Sequence, residues 1–190
     1  MCNLAIFASG SGSNAENIAT YFSANPNVCI ALIATENSNA YVLERAKRLA
    51  IPTHLFTMDE LKSGEVLSKL TGQNINFVVL AGFLKMIPSE MVRHFNKRIV
   101  NIHPALLPKY GGKGMYGMRV HSAVIEAGEK ESGITIHYVN EHYDEGDIIF
   151  QARCSVLSHD TPESLAQKVH QLEWKYYPII IEQLLHDKCH

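Results

Sequence analysis

The chain reads as an α/β protein, with a mostly parallel twisted sheet, helices on both faces, and antiparallel strands added in the C-terminal half. Three observations carry that reading. Short apolar runs alternate with helix-patterned segments through the first hundred residues. Two later strand-like runs, 134–139 and 147–154, lie about one hairpin apart, which favours antiparallel pairing. A glycine pair, Gly10-Ser11-Gly12, links the first apolar run to the first helical one, as a tight strand-to-helix turn requires. At 190 residues the chain suits a single domain over 1–190. A domain of that size buries roughly 70% of its extended-chain surface.

In chain order, residues 4–8 are apolar and stop at Ser9, and a helical pattern follows over 14–22. Ser13 and Glu16 have the spacing of a capping box at that helix start. Residues 28–35 read as a fully buried strand. A helix over 41–49 with Asn39 as its cap comes next, then a short strand at 54–56 and one helix over 59–70. Residues 77–81 are the most strand-like run of the chain. Pro88 opens a short helix that reaches His94, and 99–101 is the next strand. Residues 107–118 hold four glycines, a proline and two lysines, which predicts an irregular loop. Residues 120–127 look helical. Thr161-Pro162 starts the final helix, with Thr as cap and Pro at the first helical position. Leu165, Val169, Leu172 and Tyr176 give it an apolar face, and Trp174, Tyr176 and Tyr177 are assigned to the core. Pro178 should kink or interrupt it before Leu185. This order makes a Rossmann-like sheet.

Composition excludes several classes. Hydrophobic residues make up 46% and charged residues 19% of the chain, as in ordinary globular proteins. A net charge of −2 gives no electrostatic basis for nucleic acid or an anionic membrane as partner. Cys2, Cys29, Cys154 and Cys189 have neither metal-site nor disulfide-framework spacing, which fits a reducing compartment. The chain opens directly into an apolar strand, and no run reaches membrane-spanning length. The expectation is a cytoplasmic protein; its oligomeric state, monomer or homodimer, stays open.

Two stretches carry chemistry. In Asn101-Ile102-His103-Pro104, the Asn and His lie two apart, so an extended backbone sends both side chains to one face. The run from Arg98 to Val100 delivers them to a strand end, where open α/β sheets bind ligands. An amide beside an imidazole suits a reaction that builds negative charge on a carbonyl oxygen. A core His beside a structural Asn is the other reading of the pair. At Gly10–Asn14, glycines and a helix N-terminus form a cradle for an anion, phosphate above all. The spacing Gly-x-Gly-x-x-Ala, with Glu36 as a ribose acid, partly matches a dinucleotide fingerprint and leaves a non-catalytic nucleotide-binding module open. A turn without a ligand is open as well.

The chain resembles the phosphoribosylglycinamide formyltransferases of purine synthesis. The residues that carry the resemblance are Gly12-Ser13-Asn14, Leu80-Ala81-Gly82-Phe83-Leu84, Asn101-Ile102-His103-Pro104, Tyr143-Asp144-Glu145-Gly146-Asp147 and the Glu173 to Pro178 stretch. The match covers residues 4–185. It implies a one-carbon transferase that moves the formyl group of 10-formyltetrahydrofolate, the cosubstrate, to the amine of phosphoribosylglycinamide, with no metal. It also implies roles. Asn101, His103 and Asp144 are catalytic, with Asp144 favouring a protonated His103 and relaying a proton through water. Gly12, Ser13 and Asn14 hold the phosphate, and Glu173 holds ribose hydroxyls or the amide. Leu84, Lys85, Met86 and Ile87, with Asn101 and the loop Asn140, Glu141, His142, Tyr143 and Asp144, take the folate. The phosphate site falls in residues 1–100 and the catalytic and folate elements mainly in 101–190.

The chain departs from the family pattern in places. The stretch 111–118 is longer than in common members and reads as a mobile flap. Asp147 stands where many members carry Pro, Lys85 where many carry Arg, and His170 where some carry Lys. No Arg lies between residues 49 and 92 to take the folate glutamate tail. Related methionyl-tRNA formyltransferases carry a further domain that 190 residues cannot hold. A 10-formyltetrahydrofolate hydrolase that uses the same three residues with water as acceptor is the enzymatic alternative. His137, His142 and Asp144 do not read as a metal site, because strand alternation separates the two histidines. His121 matches a family histidine at a helix start without a clear role.

Overall fold

A computed structural model of the chain describes the backbone of residues 1–188 and the side chains of residues 1–186. Seven strands form one sheet: β1 (Cys2–Phe7), β2 (Val28–Thr35), β3 (Thr53–Leu55), β4 (Phe77–Leu80), β5 (Ile99–His103), β6 (Glu131–Tyr138) and β7 (Ile148–Ser155). Their spatial order is β3-β2-β1-β4-β5-β6-β7. The first five are parallel, and β6 and β7 are added antiparallel, as the hairpin spacing predicts.

The central strands read as apolar runs because both faces are covered. On β1, Leu4 and Ile6 enter one core and Ala5 and Phe7 the other. The first core is packed by α1 (Ser13–Phe22), α2 (Val42–Arg48), α6 (Met118–Glu126) and α7 (Pro162–Lys188). The second is packed by α3 (Met58–Ser63), α4 (Glu65–Gly72) and α5 (Ser89–His94). The strand order reverses between β1 and β4, so the crevice beyond their C-terminal ends is where such a sheet binds ligands.

Several local expectations are corrected. The Ser13–Glu16 box does not form: Gly12 is the N-cap, and no side chain caps the helix. Glu16 pairs instead with Arg45 and Arg48 of α2. Asn39 is not the cap of α2, a position held by Tyr41. The helix expected over 59–70 breaks at Gly64 (φ 87°) into α3 and α4, and Thr57 and Glu60 form the capping box. α7 runs through Pro178 without interruption. Pro178 has no N–H for the carbonyl of Trp174, and Asn17 Nδ2 donates to that oxygen at 2.8 Å instead. Trp174 is exposed rather than core. Tyr177 is fully buried, its hydroxyl reaching the carbonyls of Leu80 (2.9 Å), the last residue of β4, and Val100 (3.2 Å) within β5.

Cys29 and Cys154 are free. Cys189 lies outside the described residues. No described helix is long and apolar enough to cross a membrane.

Candidate active site

The turn after β1 shapes one wall of the site. Gly12 has φ 73°, and a Cβ there would lie 2.3 Å from Val42 Cγ2, so both backbone geometry and packing against α2 require glycine. The turn hands the chain to α1, whose first N–H groups have no acceptor within the helix and carry its partial positive charge. Asn14 Nδ2 donates to Glu173 Oε2 (2.9 Å), and His170 Nδ1 meets the same oxygen at 2.8 Å. That contact holds His170 above the usual histidine range. Glu173 is 5% exposed, not the solvated residue an isolated helical Glu usually is. Asn14 Oδ1 and His121 Nδ1 are buried with no hydrogen bond, and both residues line the cleft.

The second wall is the loop after β4. Phe83 packs edge-on against Phe7 of β1 with 5.3 Å between ring centroids. Ser9 Oγ accepts from Leu84 N (3.1 Å) and donates to Glu36 Oε2 (3.1 Å). Glu36 is thus engaged with the turn and does not line the cleft, so the dinucleotide reading loses its ribose acid. Leu84, Lys85 and Met86 are exposed at the cleft and Ile87 is buried beside it.

The third wall brings the catalytic candidates together. Asn101 and His103 leave the same face of β5, and both line the cleft. The pairing of β5 with β6 sets Asn101 opposite His137, and Asn101 Nδ2 lies 3.1 Å from His137 Nε2. His137 Nδ1 faces only the carbonyl of Tyr138 (2.9 Å). That nitrogen therefore carries the hydrogen, and the Asn101 amide can give one N–H to Nε2 and keep one for a ligand.

The chain after β5 is anchored by Thr135 and Gln151. Leu107 N donates to Thr135 Oγ1 (3.0 Å), Thr135 Oγ1 donates to Ala105 O (2.7 Å), and Gln151 Nε2 donates to Leu107 O (3.0 Å). This fixes Tyr110, whose carbonyl lies 2.7 Å from His103 Nε2. A carbonyl only accepts, so Nε2 carries the hydrogen and Nδ1 is left facing Asp144 Oδ2 at 3.5 Å.

Burial pushes the His103 imidazole below the usual histidine range and outweighs the nearby Asp144 and Tyr110 carbonyl. Asp144 favours the imidazolium and burial opposes it, so the two act on His103 in opposite directions. Burial alone would raise the Asp144 carboxyl, but the Gly112 N–H (2.9 Å), and His137 and His103 when they carry a proton toward it, hold it below its usual value.

The three walls enclose a cleft of about 710 Å³. Gly12, Ser13, Asn14 and Glu173 line it. Asn101, His103 and Asp144 line the same cleft, as do the Leu84–Ile87 segment and Asn140, His142 and Tyr143. Glu141, expected with them, does not line it. Residues 112–119 form part of the lining and bring Lys113 and Arg119, two cations the sequence reading did not assign.

The sequence reading also assigned no catalytic part to His137, whose Nε2 lies 3.7 Å from Asp144 Oδ1. The Thr135-x-His137 alternation was the available signal, but its meaning depends on the β5–β6 register. No group of three or more metal-ligating side chains occurs among the described residues.

Residues 2–181 match the family model described as formyl transferase. Over 97% of its length the chain is 42% identical to the chloroplastic phosphoribosylglycinamide formyltransferase of Arabidopsis thaliana, but spans only 66% of that protein. It is 37% identical to the Bacillus subtilis phosphoribosylglycinamide formyltransferase, covering 97% of this chain and 95% of that one. The crystal structure of the Anaplasma phagocytophilum phosphoribosylglycinamide formyltransferase superposes with a TM-score of 0.89 at 34% identity, covering 98% of this chain and 88% of that one. With a family match over nearly its whole length and relatives this similar across it, the chain belongs to the formyl transferase family.

Proposed function

We propose that the protein transfers the formyl group of 10-formyltetrahydrofolate to the amino group of 5'-phosphoribosylglycinamide, acting as one domain over residues 1–190. The observation that carries this reading is the shared cleft. Gly12, Ser13 and Asn14, at the turn into α1, line the same cleft as Asn101, His103 and Asp144. A phosphate held at that turn directs its amine toward those three residues. The folate takes the Leu84–Ile87 segment and the 140–144 loop, with Lys85, Lys113 and Arg119 as the cations near its carboxylates.

The amine attacks the formyl carbon, forming a C–N bond and placing the electron pair on the formyl oxygen. The free N–H of Asn101 and a proton that His103 Nδ1 takes up from water as the oxyanion forms, and gives back as it collapses, stabilise that charge, each donor contributing a few kcal/mol in a site poor in water. The oxyanion itself favours imidazolium, which offsets the effect of burial as charge develops. Asp144 accepts the proton that the amine sheds and, through water, returns it to the folate nitrogen as the C–N bond to it breaks. Glu173 takes ribose hydroxyls.

We place the enzyme in the cytoplasm with small, soluble substrates and neither nucleic acid nor membrane as partner. The anion cradle favours transfer over the hydrolase alternative, which has no use for a phosphate. The test is consumption of 10-formyltetrahydrofolate with and without phosphoribosylglycinamide. Turnover that requires the amine supports transfer, and equal turnover without it makes the protein a hydrolase.

A further inference from the structure

Two of the non-glycine residues with a left-handed backbone bracket His103: Asp144 (φ 58°) and Tyr110 (φ 58°). Asp tolerates that conformation. For a ring-bearing residue it is strained and persists only where other contacts hold it. The Tyr110 ring packs against the first core, and its hydroxyl donates to Glu129 Oε1 at 3.0 Å. Lys109, the preceding residue, donates from Nζ to the same oxygen at 2.8 Å. Glu129 is a firm post: it follows α6 after Gly128 (φ 65°), and its N–H closes back on Val124 O at 3.3 Å. Two residues beyond Tyr110, the Gly112 N–H donates to Asp144 Oδ2. One short segment, 109–112, therefore touches both groups that flank His103, and Glu129 holds it from outside the cleft.

We propose that Glu129 is a positioning residue for formyl transfer. Through the Tyr110 hydroxyl it fixes the carbonyl that keeps the hydrogen on His103 Nε2, which turns Nδ1 toward Asp144. Its kinetic consequence rests on the formyl-transfer reading, whereas its effect on the imidazole does not.

The experiment uses the full chain as wild type, Glu129→Ala, Glu129→Gln and Tyr110→Phe, with melting curves to confirm folding. Gln keeps an acceptor oxygen for the Tyr110 hydroxyl, and Tyr110→Phe keeps the ring, which covers the case in which Glu129→Ala does not fold. In ¹⁵N-histidine spectra at pH 7.5, wild-type His103 should carry its hydrogen on Nε2, and Glu129→Ala and Tyr110→Phe should move part of that population to Nδ1. Both should lower kcat about tenfold and change KM less than about twofold, because losing the carbonyl at Nε2 displaces the ring and disfavours the imidazolium that the oxyanion needs, even where the neutral ring holds its hydrogen on Nδ1. Glu129→Gln should restore most of the rate, and Glu129→Ala combined with Tyr110→Phe should cost no more than either alone. An unchanged tautomer in folded variants overturns the proposal, as does a Gln variant no better than Ala. If the wild type shows no formyl transfer, the tautomer populations still decide the role of Glu129, so the two claims fail separately.

Discussion

Asn14 Nδ2 donates to Glu173 Oε2 at 2.9 Å, which ties the first helix to the last across 159 positions of chain. The anion cradle and the final helix are therefore one binding surface, with His170 on the other side of the same carboxylate oxygen. We expect Glu173→Gln, and Ser13→Ala combined with Asn14→Ala, each to raise KM for phosphoribosylglycinamide by about tenfold while kcat changes less. Steady-state kinetics at saturating folate checks this. A loss confined to kcat places the phosphate elsewhere.

Asp144 lies 3.5 Å from His103 and 3.7 Å from His137, and the proposed mechanism gives it a part in proton transfer rather than in substrate affinity. Asp144→Asn should lower kcat by roughly 100-fold, the range of a lost proton-transfer group, with KM for both substrates nearly unchanged. Equal losses in kcat and affinity would remove the relay role.

The histidines of the cleft should titrate in a defined order. Burial lowers His103 and His121, while the bond to Glu173 raises His170. At pH 6.5, the usual histidine value, His170 should be more than half protonated and His103 and His121 less than half. Asp144→Asn removes a charge that favours imidazolium and should move the His103 midpoint further down. Residue-resolved NMR titration of the free protein reads each midpoint. A His103 midpoint above 6.5 would restore the imidazolium reading for the free protein.

Gly12→Ala meets both a left-handed φ and the side chain of Val42. We expect a loss of about 2–4 kcal/mol in unfolding stability, measured by urea titration. A neutral substitution would mean that the turn adjusts and that the cradle is less rigid than described.

The alternation of periods made the parallel half legible, and β2 lies over the residues its apolar run predicts. Errors fell where a tertiary contact outweighed a local signal. Glu16 took two arginines instead of a capping role, and Asn17 satisfied the carbonyl that Pro178 leaves unserved. In the site, the Asn101–His103 pair was readable from a two-residue period. Asp144 was readable only through resemblance, since 41 residues separate it from His103 (144 − 103). Tyr110 left no trace at all, because it acts through a backbone carbonyl that any residue carries.

The most direct test of formyl transfer follows the carbon itself. The protein is given 10-formyltetrahydrofolate labelled with ¹³C in the formyl group, together with phosphoribosylglycinamide, and the products are read by NMR and mass spectrometry. We expect the label to appear in the N-formyl amide in step with tetrahydrofolate release. Label recovered as free formate, with the amine unmodified, would contradict it.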